Sequence, residues 1–273
     1  MLSLAKDVLG KFLDDLDSKI ANRMGISSGF FDLDSMMGYW LPETLNFVGG
    51  VPGMGCSELL NGFCLNALKS HSDIHVAYFT PILSNSQWIG MLVSNEGKID
   101  YQRLQKGDLG EDEKDRVMHV GRILNRIGNR LFHSSEMFLT CEEIKSECLR
   151  IKENWRLDLI IVDDFNSIVG EHKAASLKEI AKELSIPVIC SVSLDHNRIN
   201  NRADKRPKIG DLPSNEDIYK LADRTLFLYR DEFYNPDTDY VGKSELIFFN
   251  EHFGGKSYLA WLPSFCSFHN MLE

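Results

Sequence analysis

The chain has 273 residues, 43% of them hydrophobic, enough for one large α/β domain or two small ones with a sizeable buried core. Its net charge of −10 argues against a protein that coats duplex DNA by bulk electrostatics, so any nucleic-acid contact must come from a local patch. There is no apolar run of about 18 residues and no secretory pattern, which reads as a cytoplasmic chain without a membrane partner, its six cysteines reduced.

Residues 4–20 place Leu4, Val8, Leu9, Phe12, Leu13, Leu16 and Ile20 at helical spacing opposite Lys6, Lys11, Asp14, Asp15 and Lys19. An amphipathic helix over 1–24 is expected, packing on its own domain or docking on a neighbouring subunit, and 25–29 reads as a glycine-bracketed linker to a domain at 25–273. Residues 44–48 then read as a strand, 49–57 spell Gly-Gly-Val-Pro-Gly-Met-Gly-Cys-Ser, and 58–68 read as a helix. Strand, glycine-rich turn and helix N-terminus are the parts of a phosphate-cradling loop, but Cys56 stands where its lysine should be. A thiol cannot supply the ammonium that reaches the outer phosphates.

Further on, 74–79 reads as a strand, 85–95 and 109–130 as helices, 141–152 as a helix, and 157–163 as a buried strand ending on Asp163. A helix at 174–184 and a buried strand at 186–192 follow, then strands at 224–229, 244–249 and 256–262. Alternating units of this kind predict a mostly parallel sheet with helices on both faces. Asp163, at the end of an apolar strand, suits a carboxylate supporting Mg²⁺, and Ser57 suits the matching hydroxyl. Taken singly, Ser57 could equally be a helix N-cap and Asp163 a solvated strand end.

Several segments together resemble the DnaB-type hexameric replicative DNA helicases, in their RecA-like motor domain. The entry segment Gly25-Ile26-Ser27-Ser28-Gly29-Phe30-Phe31-Asp32-Leu33-Asp34, the loop from Gly50 to Ser57, and the run from Leu177 to Ile189 carry the likeness. The most specific strings are Arg202-Ala203-Asp204-Lys205-Arg206-Pro207, with Asp211-Leu212 after it, and Tyr229-Arg230-Asp231-Glu232-Phe233-Tyr234.

The resemblance implies a RecA-like fold preceded by a linker helix. It implies ATP and Mg²⁺ as cofactors, and nucleotide-binding positions at Gly50, Gly53, Gly55, Cys56, Ser57 and Asp163. It also implies assembly into a homo-oligomeric hexamer or a mixed ring with a helicase-like subunit, and single-stranded DNA held by a local patch. The family's catalytic positions fall on residues that cannot perform their roles. The loop lysine falls on Cys56, the water-activating glutamate on Ile82, the sensor glutamine on Ser193, and the Lys-x-Arg finger on the segment from Asn250 to His252. A general base alone contributes roughly 10² to 10⁴ in rate, and an arginine finger about 10³ to 10⁵. Losing both, and the lysine, leads to the expectation of negligible turnover. Arg198, Arg202, Lys205, Arg206 and Lys208 form the candidate DNA-facing cluster, with a solvated charged loop as the alternative. The rival functions are an active ATP-dependent helicase, drawing missing cations from a partner or from Lys256, and a module that binds nucleotide without hydrolysing it.

Overall fold

The computed structural model describes residues 4–6, 9–13, 25–213, 217–250 and 254–271. Residues 5–6 and 9–13 are helical, with Leu4, Leu9, Phe12 and Leu13 exposed, while the rest of the expected linker helix, residues 1–3, 7–8 and 14–24, lies outside the described residues.

A nine-stranded sheet organises the remainder, in the order β3-β2-β4-β5-β1-β6-β7-β8-β9. The strands are β1 Leu45–Gly50, β2 Val76–Phe79, β3 Leu131–Ser134, β4 Leu159–Val162, β5 Val188–Ser193, β6 Arg224–Arg230, β7 Lys243–Phe249, β8 Gly254–Leu262 and β9 Ser267–Asn270. From β3 to β6 every pairing is parallel, and β7 to β9 add an antiparallel extension. The central strands β1, β2 and β4 are buried throughout, as continuous Val, Ile, Leu and Phe runs require when helices cover both faces of a sheet. Trp40 and Phe63 meet edge to face at 5.2 Å on one side of the core, and Phe47 and Phe165 do so at 5.3 Å on the other.

The segment at 25–29 is not a loose linker. Ile26 and Trp40 exchange backbone hydrogen bonds of 2.9 and 2.8 Å, and Asp34 accepts from the Ser27 hydroxyl and the Ser28 amide, so the segment is pinned beside the core. Two strands escape the sequence patterns, β3 and β9, each four residues long and polar in part. They flank the sheet at its two edges, where a strand packs on one side only and apolar alternation is weak.

Register fixes the site. Phe79 pairs with Val162, Val48 with Ser191 and Gly50 with Ser193, so the ends of β2, β4, β5 and β1 lie side by side. Residues immediately beyond those ends therefore share one cleft, at the C-terminal edge of the parallel strands, where open α/β sheets hold ligands.

Candidate nucleotide cleft

Beyond β1 the chain turns through Gly53 (φ 85°) and Gly55 (φ 107°) and enters the helix Cys56–Ser70. A side chain at Gly55 would meet the Phe268 ring at 2.9 Å as well as carry a left-handed backbone, so glycine is required there twice over. The expected Ser57 cap is not what starts this helix: Gly55 is the N-cap residue, with no side-chain cap. The loop lines a cleft of about 460 Å³ together with Ile82, Leu83, Met91, Tyr101, Asp163, Asp164, Ser191 and Ser193.

The sequence-predicted nucleotide residues Gly50, Gly53, Gly55, Cys56, Ser57 and Asp163 all meet at this cleft, as do Ile82 and Ser193. The Cys56 sulfur folds back over the loop, 2.7 Å from where a Cβ on Gly50 would sit. Burial, with Asp163 next, pushes its thiol far above the ordinary range, so it stays protonated and contributes no charge. Ile82, where the resemblance expects a base, is 53% exposed and presents hydrocarbon to the cleft. The Ser193 hydroxyl donates to Asp164 Oδ2 at 3.2 Å. Asn250 is half-buried on the far side of the sheet order, and residues 251–253, with His252, lie outside the described residues.

Asp163 is 1% exposed, and its Oδ1 accepts from the Ser191 hydroxyl at 2.5 Å. Burial pushes its carboxyl up to about 6, against the pull of the Ser191 and Ser57 hydroxyls, with Asp164 and Glu58 pushing it up further. Oδ2 has no hydrogen-bond partner. Asp163 and Ser57 are hard oxygen donors of the kind that would hold a divalent cation, the pair that the resemblance assigns to Mg²⁺. The surroundings do not fit a triphosphate: three carboxylates line the cleft, Glu58, Asp163 and Asp164, and among the described lining residues there is no lysine or arginine.

Sequence reasoning missed Glu58, Asp164 and Arg230 as parts of this site. Arg230, 8% exposed, reaches across from the end of β6 and donates from Nη2 to the Gly53 carbonyl at 2.7 Å and from Nη1 to Glu232 at 3.2 Å. Its guanidinium lies over the Trp261 ring at 4.9 Å, and Trp261 packs on Phe268 at 4.5 Å. The adjacent pair of aspartates and the string around Arg230 were visible, but only the fold brings them to the loop.

The basic cluster is drawn together and largely consumed. Arg202 forks onto Asp211 with bonds of 2.7 and 2.8 Å, and Arg206 forks onto Glu245 at 2.8 and 2.5 Å while lying over the Tyr229 ring. Lys205 donates to the Asn200 carbonyl, and Lys256, the rival source of a missing cation, pairs with Glu245 at 3.3 Å. Arg198 and Lys208 are the exposed members, Arg198 reaching only 3.9 Å from Asp211.

A family-wide profile, the DnaB-like helicase C terminal domain, matches residues 25–270. The chain belongs to that family. It is 31% identical over 91% of its length to the replicative DNA helicase DnaB of Pasteurella multocida, and 28% identical over 97% to the replicative DNA helicase DnaC of Bacillus subtilis. It spans 56% and 62% of those two relatives. In fold it matches a solved ATPase domain over the whole of both chains, with a TM-score of 0.87 at 21% identity. It also matches a DnaB-like replicative helicase described with its primase interactions, at 0.88 and 20%, covering 68% of that chain. The RecA-like architecture is thus shared with motor domains of this family.

Proposed function

We propose that this DnaB-like domain serves DNA replication without hydrolysing ATP, acting as a binding or assembly partner in a homo-oligomeric or mixed ring with a helicase-like subunit. The observation that carries the reading is the cleft itself, in which a protonated thiol, an exposed isoleucine and three carboxylates stand where turnover of a triphosphate needs a cation and a base. Loss of the base alone would cost roughly 10²-fold to 10⁴-fold. Meanwhile the nine-stranded scaffold of the family domain is kept. Single-stranded DNA, where it binds, meets the exposed Arg198 and Lys208 rather than Arg202 and Arg206, whose charges are already paired.

ATP hydrolysis measured with and without single-stranded DNA, beside Asp163→Ala, tests this. The expected result is no turnover above that variant. Hydrolysis that depends on Asp163 overturns the reading in favour of an active helicase motor.

The surviving Ser57 and Asp163 favour one second reading, a module that holds nucleotide–Mg²⁺ without turnover. Calorimetric binding of ATP–Mg²⁺ by the unaltered chain would select it.

A further inference from the structure

A second cavity, of about 260 Å³, lies between the C-terminal half of the helix Cys56–Ser70, the end of the helix Asn85–Gly97 and β9, and shares no lining residue with the nucleotide cleft. Three basic side chains line it: Lys69 from the last turn of the first helix, Lys98 just past the end of the second, and His269 from β9. Lys98 Nζ stands 2.7 Å from His269 Nε2, and the Ser267 hydroxyl lies 3.1 Å from the same nitrogen. An ammonium has donors and no acceptor, so the contact holds His269 neutral, with Nε2 accepting. Burial, with the charges of Lys98 and Lys69 next, lowers this imidazole below its ordinary range, in agreement. The charges around the cavity do not balance. Lys69 is met by Glu96 at 2.8 and 3.1 Å, whereas half-buried Lys98 pairs with no carboxylate among the described residues. Its ammonium has given up water without gaining a counter-ion, a costly arrangement for a charge. A second polar group is idle too. Asn95, one turn before Lys98, is 9% exposed and lines the cavity, and its side chain makes no hydrogen bond among the described residues.

We propose that this cavity binds inorganic phosphate, held by the Lys98 ammonium and the Asn95 side-chain amide, with Lys69 supplying a second positive charge. An oxyanion spreads its acceptors over several oxygens, so an ammonium and an amide can both donate to it, and the bond from the charged donor is the stronger. The balance of charge agrees with the occupant. Two ammonium groups against the one carboxylate of Glu96, with His269 neutral, leave one positive charge unanswered. Size sets the class of ligand. A space of about 260 Å³ is below the roughly 300–1,000 Å³ of pockets that take drug-sized molecules, so a small oxyanion fits where a whole nucleotide does not. The other two carboxamides in the wall are already committed to the backbone, Asn66 donating to the Ser28 carbonyl at 3.0 Å and Asn270 to the Gly29 carbonyl at 3.2 Å. They fix the 25–29 segment as one side of the cavity and leave Asn95 as the amide available to a ligand.

The probe is inorganic phosphate, titrated into the full chain at constant ionic strength while the His269 ring is followed by NMR, with chloride and acetate in parallel. The ring signal is assigned as the one lost in His269→Gln. The expected result is a saturable shift with phosphate and none with chloride or acetate. Lys98→Asn, a residue type that tolerates the left-handed backbone at that position (φ 50°), is expected to weaken phosphate about tenfold, the scale of one charge-assisted contact. Asn95→Leu, close in size but without the amide, is expected to weaken it by about fivefold, the scale of one neutral hydrogen bond. An absent phosphate response overturns the proposal, as does an equal response to acetate or chloride. So does a response that persists unchanged in both Lys98→Asn and Asn95→Leu. Phosphate held at the nucleotide loop is told apart by the same variants, which lie outside that cleft. The proposal stands independently of the proposed function, since no nucleotide enters its test.

Discussion

Arg230 and Gly53 are separated by most of the chain, yet the guanidinium of one holds the backbone carbonyl of the other at 2.7 Å. The contact fastens the tip of the phosphate loop to the end of β6, while Trp261 and Phe268 close the loop from behind at Gly55. Arg230→Ala removes a buried, charge-assisted bond and the packing on Trp261, and is expected to cost about 2–3 kcal/mol. Arg230→Lys should recover less than half, because a point ammonium cannot serve Gly53 and Glu232 together. Urea unfolding of the three proteins checks this, and an unchanged midpoint for Arg230→Ala would remove the contact from the account.

In the basic loop, two arginines hold the fold rather than a ligand. Asp211 is 5% exposed and accepts two bonds from Arg202 and one from the Lys208 amide. Arg202→Ala leaves that buried carboxylate short of its partner and should destabilise the fold by about 3 kcal/mol. Lys208→Ala should leave stability within about 0.5 kcal/mol of the parent. The order reverses for single-stranded DNA, if the loop tracks phosphates: Arg198→Ala and Lys208→Ala each reduce the slope of log affinity against log salt by about 0.7. Thermal unfolding and binding titrations at several salt concentrations separate the two roles.

Most of the fold was legible because its central strands are apolar on both faces and its helices carry clear stripes. Legibility failed where local chemistry is overruled by distant partners. Four residues such as Leu131–Ser134 become a strand only because β2 lies alongside, and Ile26 is fixed by Trp40 rather than by anything in its own glycine-bracketed segment. In the site, Cys56 and Ile82 announced themselves against a motif. Glu58 did not, because an acid in the first turn of a helix is ordinary, and its meaning comes from Asp163 and Asp164, just beyond the end of β4. Arg202 and Arg206 looked like free cations because Asp211 and Glu245, which neutralise them, lie 9 and 39 residues away.

The edge of the sheet carries a pH-sensitive pair. His133 on β3 stacks on Trp88 with ring centres 3.8 Å apart, and its Nε2 has no partner. Burial lowers its imidazole from 6.5 to about 4. The folded state therefore holds this ring neutral while the unfolded chain takes up a proton below pH 6.5, so stability is full above that value and falls as pH drops from about 6.5 to about 4. The ring is only half-buried, so solvent screens the effect, and the loss amounts to about 1–2 kcal/mol rather than the full 1.4 kcal/mol or so for each pH unit of the shift. His133→Phe keeps the stack and should flatten this part of the curve. Denaturation midpoints at about pH 7.5, about 5.5 and about 4.5 read the difference, and parallel curves for the two proteins would show that another group is responsible.

Restoring the loop lysine separates binding from turnover. Cys56→Lys replaces a protonated thiol with an ammonium at the entry to the helix, in a cleft lined by three carboxylates and by no lysine or arginine among the described residues. The side chain can leave over Gly50 along the path the sulfur now takes, since Gly50 offers no Cβ to block it. ATP–Mg²⁺ affinity is expected to rise by about tenfold or more, the scale of one charge-assisted contact. Phosphate release should stay at background, because on the proposed reading Ile82 occupies the base position and a base is worth roughly 10² to 10⁴ in rate. Adding Ile82→Glu to the lysine variant is then the step at which any hydrolysis would first emerge. Turnover in Cys56→Lys alone would mean that a carboxylate already in the cleft, Glu58 or Asp164, can activate water, and that the loop lysine was the single lost function.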